Sequence, residues 1–295
     1  MSTPTVAERL AEEVTALRTA PIPGEVLGRA NDLLLDFLGV TLAGVPEESS
    51  RALRRGLERL GLRGNGTVLG TTERLPPPHA ALANGAAAHA IEMDDTHLGG
   101  SIHLGASVFP AGLATAEVTG ASGEALLRAA VAGYEVAARL AMAVGPAAHY
   151  ARGFHPTGTC GAFGAAVTAA LLMDLDAAAV ARALGIAGSQ AAGSMEFLAD
   201  GAWTKRLHPG WSASAGMHAA ALGAAEFRAP SSIIEGRFGF LHAYSEAPDR
   251  RSLDDPAGGF ELMRTGIKPH ACCRYMQACG LTPVRMISKA PEGAR

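Results

Sequence analysis

Residues 89–109 of this 295-residue chain read His-Ala-Ile-Glu-Met-Asp-Asp-Thr-His-Leu-Gly-Gly-Ser-Ile-His-Leu-Gly-Ala-Ser-Val-Phe, and the prediction of the fold starts from this stretch. It carries three carboxylates and three histidines: Glu92, Asp94, Asp95, His89, His97 and His103. Gly99, Gly100 and Gly105 interrupt helical continuity, which predicts an irregular loop between two helices. Dense titratable groups on a loop are typical of a chemical site, and a polar surface loop with helix caps is the structural alternative.

Helices are predicted on both sides of this loop. An alanine-rich helix, about His79 to Ile91, follows three prolines and leads into the loop, and the apolar segment Pro110 to Val118 follows it. Gly161 to Met173 is uncharged but shorter than the ~20 residues that a membrane-spanning helix needs, so we expect a buried core helix. Further helices are predicted over Thr5 to Pro21, Gly24 to Leu42, Glu48 to Leu60, Ser122 to Val144, Asp176 to Gly185, Ile186 to Leu198 and Ser212 to Phe227. The predicted fold class is therefore mainly α.

The bulk composition excludes several classes of protein. Hydrophobic residues make up 48% of the chain and charged residues 18%, which indicates a folded, core-rich protein. A net charge of -3 without a basic patch argues against nucleic-acid binding, and without a signal sequence or a spanning helix we expect no membrane partner. Cys160, Cys272, Cys273 and Cys279 form no C-x-x-C pair or disulfide framework, so we expect a cytoplasmic protein.

Like the first loop, two further predicted loops place charged or titratable residues beside glycine between apolar helices. They are Gly153 to Gly161 and Asp200 to Trp211. If helix packing brings the three loops together, the pocket contains lysine to hold carboxylates and histidine to exchange protons near neutral pH. The side chains concerned are His103, His155, Lys205 and His208. A carboxylated substrate that loses a proton next to its carboxylate would suit this set.

Each of these residues also has a structural alternative. His155 precedes a proline and could cap the next helix, and Lys205 with the adjacent arginine could be a solvated pair. Asp94 or Asp95 could be a helix N-cap. Asp94, His97 and His103 are possible metal ligands, but no compact metal-binding spacing is present, so we expect no metal.

Six collinear blocks carry a family resemblance. They are Ala83-Asn-Gly85, His89-Ala-Ile-Glu-Met-Asp-Asp-Thr-His97 with His103, Gly153-Phe-His-Pro-Thr157, Thr204-Lys-Arg-Leu-His-Pro-Gly210, Glu235-Gly-Arg-Phe-Gly239 and Lys268-Pro-His-Ala-Cys-Cys273. Together they resemble the MmgE/PrpD family, which includes 2-methylcitrate dehydratase, cis-aconitate decarboxylase and iminodisuccinate epimerase. Because the blocks occur in order over nearly the whole chain, the match is more specific than any single motif.

The resemblance implies two domains and a reaction class. Residues 1–260 would form an all-helical domain carrying most of the site, and residues 261–295 would begin a small α+β lid domain. The resemblance implies a homodimer and cofactor-free chemistry on a small carboxylic-acid substrate. We expect a dehydratase acting on a hydroxy-polycarboxylate such as 2-methylcitrate. A decarboxylase, an epimerase, or a non-catalytic dimerisation or ligand-binding remnant are the alternatives.

From the resemblance and the three loops together, we predict a role for each candidate residue. His103 and His155 would be the acid–base pair in either order, with Lys205 stabilising the negative charge that develops on the substrate carboxylate. The substrate-binding residues would be Glu92, Asp94, Thr96, His208 and Lys268. Glu92 stands where the family has an aspartate, and Cys273 stands where the decarboxylase branch has a histidine, which argues against decarboxylation.

Members of the resembled family continue well beyond the position of Arg295. We therefore expect most of the lid and the returning C-terminal helices to be missing from this sequence, apart from a helix predicted over Met276 to Lys289. A fragment, a frame-shifted product and a naturally short member that uses another polypeptide would each fit.

Overall fold

A computed structural model describes residues 3–254, 258–273 and 276–277, and the fold in these ranges is mainly α-helical, as predicted. The helices are α1 Val6–Ala16, α2 Gly24–Gly44, α3 Glu48–Arg59, α4 Pro77–Ala88, α5 Gly105–Thr119, α6 Gly123–Val144, α7 Pro146–Ala151, α8 Pro156–Thr159, α9 Gly161–Leu172, α10 Ala177–Gln190, α11 Thr204–Ala224, α12 Phe240–Tyr244 and α13 Arg251–Asp254. Short 3-10 helices occur at Glu196–Leu198 and Glu261–Arg264. Most of the predicted helix after Met276 lies outside the described residues.

Four two-residue strands form two small antiparallel sheets. The strands are β1 Gly66–Thr67, β2 Arg74–Leu75, β3 Thr96–His97 and β4 Thr265–Gly266. Strand β1 pairs with β2, and β3 in the predicted loop pairs with β4 near the end of the described chain. The second sheet therefore joins two segments that are far apart in sequence.

Helix α9 lies at the centre of the fold and is buried along its whole length. It packs against α5, α6, α10 and α11. Small residues bring the backbones close, since a Cβ built on Gly133 of α6 would lie 2.1 Å from the Thr168 hydroxyl and 2.8 Å from the Gly164 carbonyl oxygen. The predicted buried helix is confirmed. Nowhere in the described part of the chain is a helix both long and apolar enough to cross a membrane.

Three of the predicted helices begin at side chains that cap them. Thr5 accepts a hydrogen bond from the Glu8 N–H, and the Glu8 carboxylate accepts one from the Thr5 N–H, which completes a capping box. Ser122 and Asp176 each accept the backbone N–H of the third residue after them. These contacts are local, so the sequence is sufficient to predict them.

Close packing of α11 on α9 leads to a stability prediction. A Cβ built on Gly216 of α11 would lie 2.5 Å from Ala165 Cβ and 2.5 Å from the Ala166 backbone nitrogen. We expect Gly216→Ala to lower the free energy of unfolding by about 1–3 kcal/mol, because the two backbones must separate. The matched control is Gly39→Ala on α2, where no atom lies within 4 Å of the new Cβ. There the higher helix propensity of alanine should raise the free energy of unfolding by about 0.5–1 kcal/mol. Urea unfolding measures both, and equal effects of the two substitutions would contradict the prediction.

The predicted loop from Asp200 to Trp211 is wrong from Thr204 onward, because α11 begins there. Proline and glycine normally interrupt helices, which is why the sequence predicts a loop there. In the fold, Pro209 and Gly210 are buried where α11 crosses α4, and a Cβ on Gly210 would lie 2.1 Å from the Leu82 carbonyl oxygen. The packing that this close crossing permits offsets the helical hydrogen bond that proline cannot make.

A second helix boundary is also wrong. The sequence predicts two helices separated at Gly185, whereas α10 runs without interruption from Ala177 to Gln190. Gly185 faces Ala229 and Pro230 so closely that a Cβ would lie 2.7 Å from the alanine Cβ. The glycine is therefore a packing position inside a helix.

Candidate active site

The candidate active site is built around the loop between α4 and α5. This loop supplies Glu92, Asp94, Thr96 and His103, and His89 precedes it as the C-cap of α4. Three other segments meet the loop: the residue before α8, the first turns of α11, and the chain after β4. They supply His155, Lys205, His208 and Lys268. The eight site residues predicted from the sequence therefore lie in one cluster, joined by hydrogen bonds and ring contacts.

Both lysines of the site are paired with acidic groups of the chain itself. Lys205 Nζ donates to the two carboxylate oxygens of Glu92 at 2.6 and 2.5 Å. Lys268 Nζ donates to the backbone oxygen of Glu92 at 2.6 Å and to Asp94 Oδ1 at 3.3 Å. Glu92 has a φ of 58°, in the left-handed region that non-glycine residues rarely occupy, and residues in such conformations often lie at functional sites. A substrate carboxylate would have to share these lysines with Glu92 and Asp94 or displace them.

Four buried histidines lie beside the lysines. The ring centroid of His89 is 4.9 Å from that of His103 and 5.9 Å from that of His155, and His103 and His155 are 6.2 Å apart. His208 Nδ1 lies 3.1 Å from His155 Nδ1, so one of the two nitrogens donates to the other. Although His155 is the N-cap residue of α8, its side chain makes no capping hydrogen bond.

The orientation of His103 is fixed by backbone and hydroxyl groups. Its Nδ1 lies 2.8 Å from the Asp95 carbonyl oxygen and 3.1 Å from the Thr96 hydroxyl, and its backbone N–H donates to the Thr157 hydroxyl. A carbonyl oxygen can only accept, so Nδ1 carries a proton and donates it. In the neutral ring the lone pair is then on Nε2, which is the arrangement required of a general base.

Burial keeps His103, His155 and His208 neutral near pH 7. It lowers the pKa of His103 to about 4, although the Asp94 carboxylate opposes the shift. Burial and the other histidines lower the pKa of His155 well below its ordinary value, and burial with the adjacent charges lowers that of His208 to about 4. Near pH 7 all three rings can therefore accept a proton.

The two adjacent aspartates of the loop have different environments. Burial alone would raise the pKa of Asp94, but two neighbouring histidines and Lys268 outweigh it and hold that pKa well below its usual range. Burial raises the pKa of Asp95 to about 7, although hydrogen bonds from the Tyr134 hydroxyl and the Gly105 N–H oppose the shift. Gly105 is the first residue of α5, so Asp95 satisfies a helix N-terminus whereas Asp94 faces the site.

The segment before Lys268 is attached to the loop by a two-residue sheet and by a side-chain hydrogen bond. Thr96 pairs with Gly266 in the β3–β4 sheet, and His97 Nε2 lies 3.0 Å from Glu261 Oε2. A backbone N–H donates to His97 Nδ1, so Nε2 carries the proton and donates to the carboxylate. His97 is therefore a positioning residue for the chain that brings Lys268 into the site.

A further carboxylate supports the same segment and gives a pH prediction. Glu135 of α6 accepts the Glu261 and Leu262 N–H groups, and burial raises its pKa to about 7 although these two donors oppose the shift. A raised folded-state pKa means that stability is lost as pH rises from about 4.5 to about 7. Glu135→Gln still accepts the N–H groups, so its free energy of unfolding relative to the parent should rise by about 2 kcal/mol between pH 5 and pH 8.

Urea unfolding at the two pH values measures this difference. Glu124→Gln is the matched control, because Glu124 is an exposed carboxylate on the same helix. A stability difference between Glu135→Gln and the parent that is the same at both pH values would contradict the prediction.

The histidines also bear on metal binding. One ring nitrogen from each of His89, His103 and His155 lies within 4.8 Å of the others, and within the described ranges this is the group whose donor types and closeness suit a metal ion. It is not the set considered from the sequence, because His97 faces Glu261 and Asp94 bonds to His89. The same arrangement suits proton exchange between the rings and a bound substrate.

A groove of about 620 Å³ reaches the edge of the cluster. Gly193, Phe197, His208 and Trp211 are among the residues that line it. Phe197 also contacts the rings of His155 and His208 edge-on. The groove therefore connects the buried histidines with the protein surface on the α11 side.

His89 is the site residue to which the sequence assigned no role. The structure places its ring, fully buried, against His103 and His155, with Nδ1 2.7 Å from Asp94 Oδ2. The sequence signal was a lone polar residue at the end of a helix made almost entirely of alanine and other small or apolar residues. The partner carboxylate five residues later follows neither helix nor strand spacing, so the pair could not be predicted from the pattern.

The sequence of this chain is similar to a known family model and to several known proteins. The family model of the MmgE/PrpD N-terminal domain matches residues 8–252. The chain is 31% identical to the cis-aconitate decarboxylase-like protein oryM of Aspergillus oryzae, over 90% of this chain and 58% of that protein. It is 29% identical to a cis-aconitate decarboxylase of Aspergillus terreus (92% and 57%) and 30% identical to that of Mus musculus (84% and 52%). The chain thus spans a little over half the length of these relatives.

Proposed function

This chain belongs to the MmgE/PrpD family, and from that premise we propose that it acts as a lyase on a small polycarboxylate by acid–base chemistry next to a substrate carboxylate. The observation that carries the proposal is the meeting of neutral, buried histidines with two lysines. Lysines are suited to bind carboxylates, and neutral imidazoles are suited to remove protons.

In the proposed reaction, His103 and His155 exchange protons with the substrate. His103 Nε2 is the leading candidate for the base, because its Nδ1 is committed to the Asp95 carbonyl oxygen. Lys205 and Lys268 transfer part of their pairing from Glu92 and Asp94 to the substrate carboxylates. They then stabilise the charge that develops when the neighbouring C–H or C–C bond breaks. Thr96 orients His103, and His208 orients His155.

Two reactions fit this proposal, and different observations favour them. Dehydration of a hydroxy-polycarboxylate such as 2-methylcitrate begins with proton removal, which suits rings that are neutral before substrate binds. Decarboxylation is favoured by the relatives, whose names describe decarboxylation of cis-aconitate. Cys273, in place of the histidine of the decarboxylase branch, favours dehydration.

The test is to incubate the purified protein with 2-methylcitrate and with cis-aconitate and to follow water loss and CO₂ release separately. Water loss from 2-methylcitrate supports a dehydratase, and CO₂ release from cis-aconitate supports a decarboxylase. Binding of both acids by calorimetry without turnover would favour the ligand-binding alternative. The absence of both binding and turnover would contradict the proposal.

The domain boundary at residue 260 and the homodimer stay predictions. Size-exclusion chromatography with light scattering tests the dimer.

In the described ranges the residues from Glu261 to Lys268 pack on the helical part through His97, Glu135 and Glu92, so we propose that they position the site irrespective of any lid.

A further inference from the structure

His89 carries an unused hydrogen-bonding atom at the centre of the site. The side chain is fully buried, and its Nε2 has no hydrogen-bond partner among the described residues. A buried polar atom without a partner costs stability, by about 1–3 kcal/mol in typical cases. Such a cost at the centre of a site is accounted for if a ligand supplies the missing partner.

The other ring nitrogen of His89 is held by a carboxylate. Nδ1 lies 2.7 Å from Asp94 Oδ2, and Lys268 lies 3.3 Å from the second oxygen of the same carboxylate. Asp94 is ionised, because two histidines and Lys268 hold its pKa down against its burial. An ionised carboxylate only accepts, so His89 Nδ1 carries a proton and the reactive nitrogen is Nε2.

The contact with an ionised carboxylate distinguishes His89 from the other rings of the cluster. His103 Nδ1 bonds to a carbonyl and a hydroxyl and lies 3.8 Å from the Asp94 carboxylate, and His155 bonds to the ring of His208. A carboxylate at hydrogen-bond distance stabilises an imidazolium more strongly than a neutral partner does. Within the cluster, His89 is therefore the ring best placed to hold a positive charge.

The spacing of the ring nitrogens suits a single ligand atom. Donor or acceptor nitrogens of His89, His103 and His155 lie within 4.8 Å of one another. One oxygen atom at about 2.8 Å from each of two nitrogens spans about that separation. A hydroxyl or carboxyl oxygen of a substrate could therefore contact all three rings at once.

We propose that His89, oriented by Asp94, is a third acid–base residue of the site, whose Nε2 binds an oxygen of the carboxylic-acid substrate and gives it a proton. The proposal rests on the proposed function. In a dehydration, His103 Nε2 takes the proton from carbon, the electron pair of that C–H bond forms the double bond, and the C–O bond breaks. The leaving oxygen takes the Nε2 proton of His89 and departs as water. The proton on His103 then returns to His89 through an oxygen held between the rings.

The test compares two variants of His89. His89→Asn retains a donor to Asp94 and removes Nε2. His89→Gln places an amide nitrogen near the position of Nε2, but an amide does not give up a proton to the substrate. We expect each to lower kcat at least about 100-fold, and we expect calorimetric binding of the unreactive tricarboxylate tricarballylate to weaken much less. The loss should therefore fall on kcat and not on binding, as expected of a residue that takes part in the chemical step. Asp94→Asn should lower kcat as well, because it removes the carboxylate that stabilises a positive charge on His89.

The matched control is His79→Asn on the same helix, where another ring nitrogen lacks a partner in the described chain but the ring lies outside the cluster. His79→Asn should keep the kcat of the parent and its affinity for tricarballylate. Full kcat in His89→Asn, or binding of tricarballylate weakened as much as kcat is reduced, would overturn the proposal and leave the proposed function standing. Stoichiometric divalent metal in the purified protein, lost in His89→Asn, would also overturn it by making His89 a ligand. A parent that neither binds nor converts any of the acids would contradict the proposed function itself, and the role of His89 with it.

Discussion

Replacing His103 with asparagine is expected to lower kcat at least about 100-fold on the carboxylic acid that the protein converts. The asparagine amide can still donate to the Asp95 carbonyl oxygen, which lies 2.8 Å from His103 Nδ1. The substitution therefore retains the structural contact and removes Nε2, the proposed base. Steady-state kinetics measures the loss, and thermal unfolding shows whether the fold is retained.

The pH dependence gives a second measure of the same residue. Burial lowers the pKa of His103 to about 4, so the ring accepts protons from substrate until the pH falls through that value. We expect kcat/KM of the parent to stay level from neutral pH down to about 5 and to fall below it, where a solvated histidine would already fall near 6.5. An acid limb centred near 6.5 would contradict the assignment of His103 as the base.

His218→Asn is the control for the His103 variant. His218 lies on α11, and its Nδ1 bonds to the Ser214 carbonyl oxygen of the same helix, four residues earlier. An equal loss of kcat in both variants would indicate a general effect on the fold. Unchanged kcat in His103→Asn would remove His103 from the mechanism.

Local features of this fold could be predicted from sequence, because their causes are local. The caps at Thr5, Ser122 and Asp176 involve residues three apart, and the uncharged run of α9 has only one stable environment in a protein of this composition. The start of α11 could not be predicted, because Pro209 is tolerated only through the packing of that helix on α4.

Much of the site depends on contacts that no sequence pattern contains. His97 and Glu261 are 164 residues apart, and Lys268 reaches Glu92 across 176 residues. His89 meets Asp94 because the chain turns sharply after α4, where Glu92 has a positive φ. The resemblance to a family placed the remaining site residues together, but the pairing of each lysine with an internal carboxylate comes from the three-dimensional fold.

Replacing Lys205 with methionine is expected to lower kcat/KM at least about 100-fold, since a preorganised cation facing developing negative charge contributes about 3–4 kcal/mol in comparable sites. Methionine retains most of the apolar stem of lysine and removes the charge. The substitution also removes Lys205 Nζ, which lies 2.5 Å from Glu92 Oε2, and leaves the Glu92 carboxylate unpaired. The free energy of unfolding should therefore fall as well. Kinetics and urea unfolding must therefore be measured together.

A double variant separates the two effects of Lys205. Lys205→Met with Glu92→Gln removes both charges of the pair, so stability should recover while kcat/KM stays low, because the substrate carboxylate still lacks its cation. The matched control is Arg206→Met, since the guanidinium of this adjacent residue bonds to the Ser49 hydroxyl. Arg206→Met should keep the kcat/KM of the parent. If the double variant regained both stability and activity, Lys205 would serve only to neutralise Glu92, and binding of the substrate carboxylate would have to depend on Lys268 and the histidines.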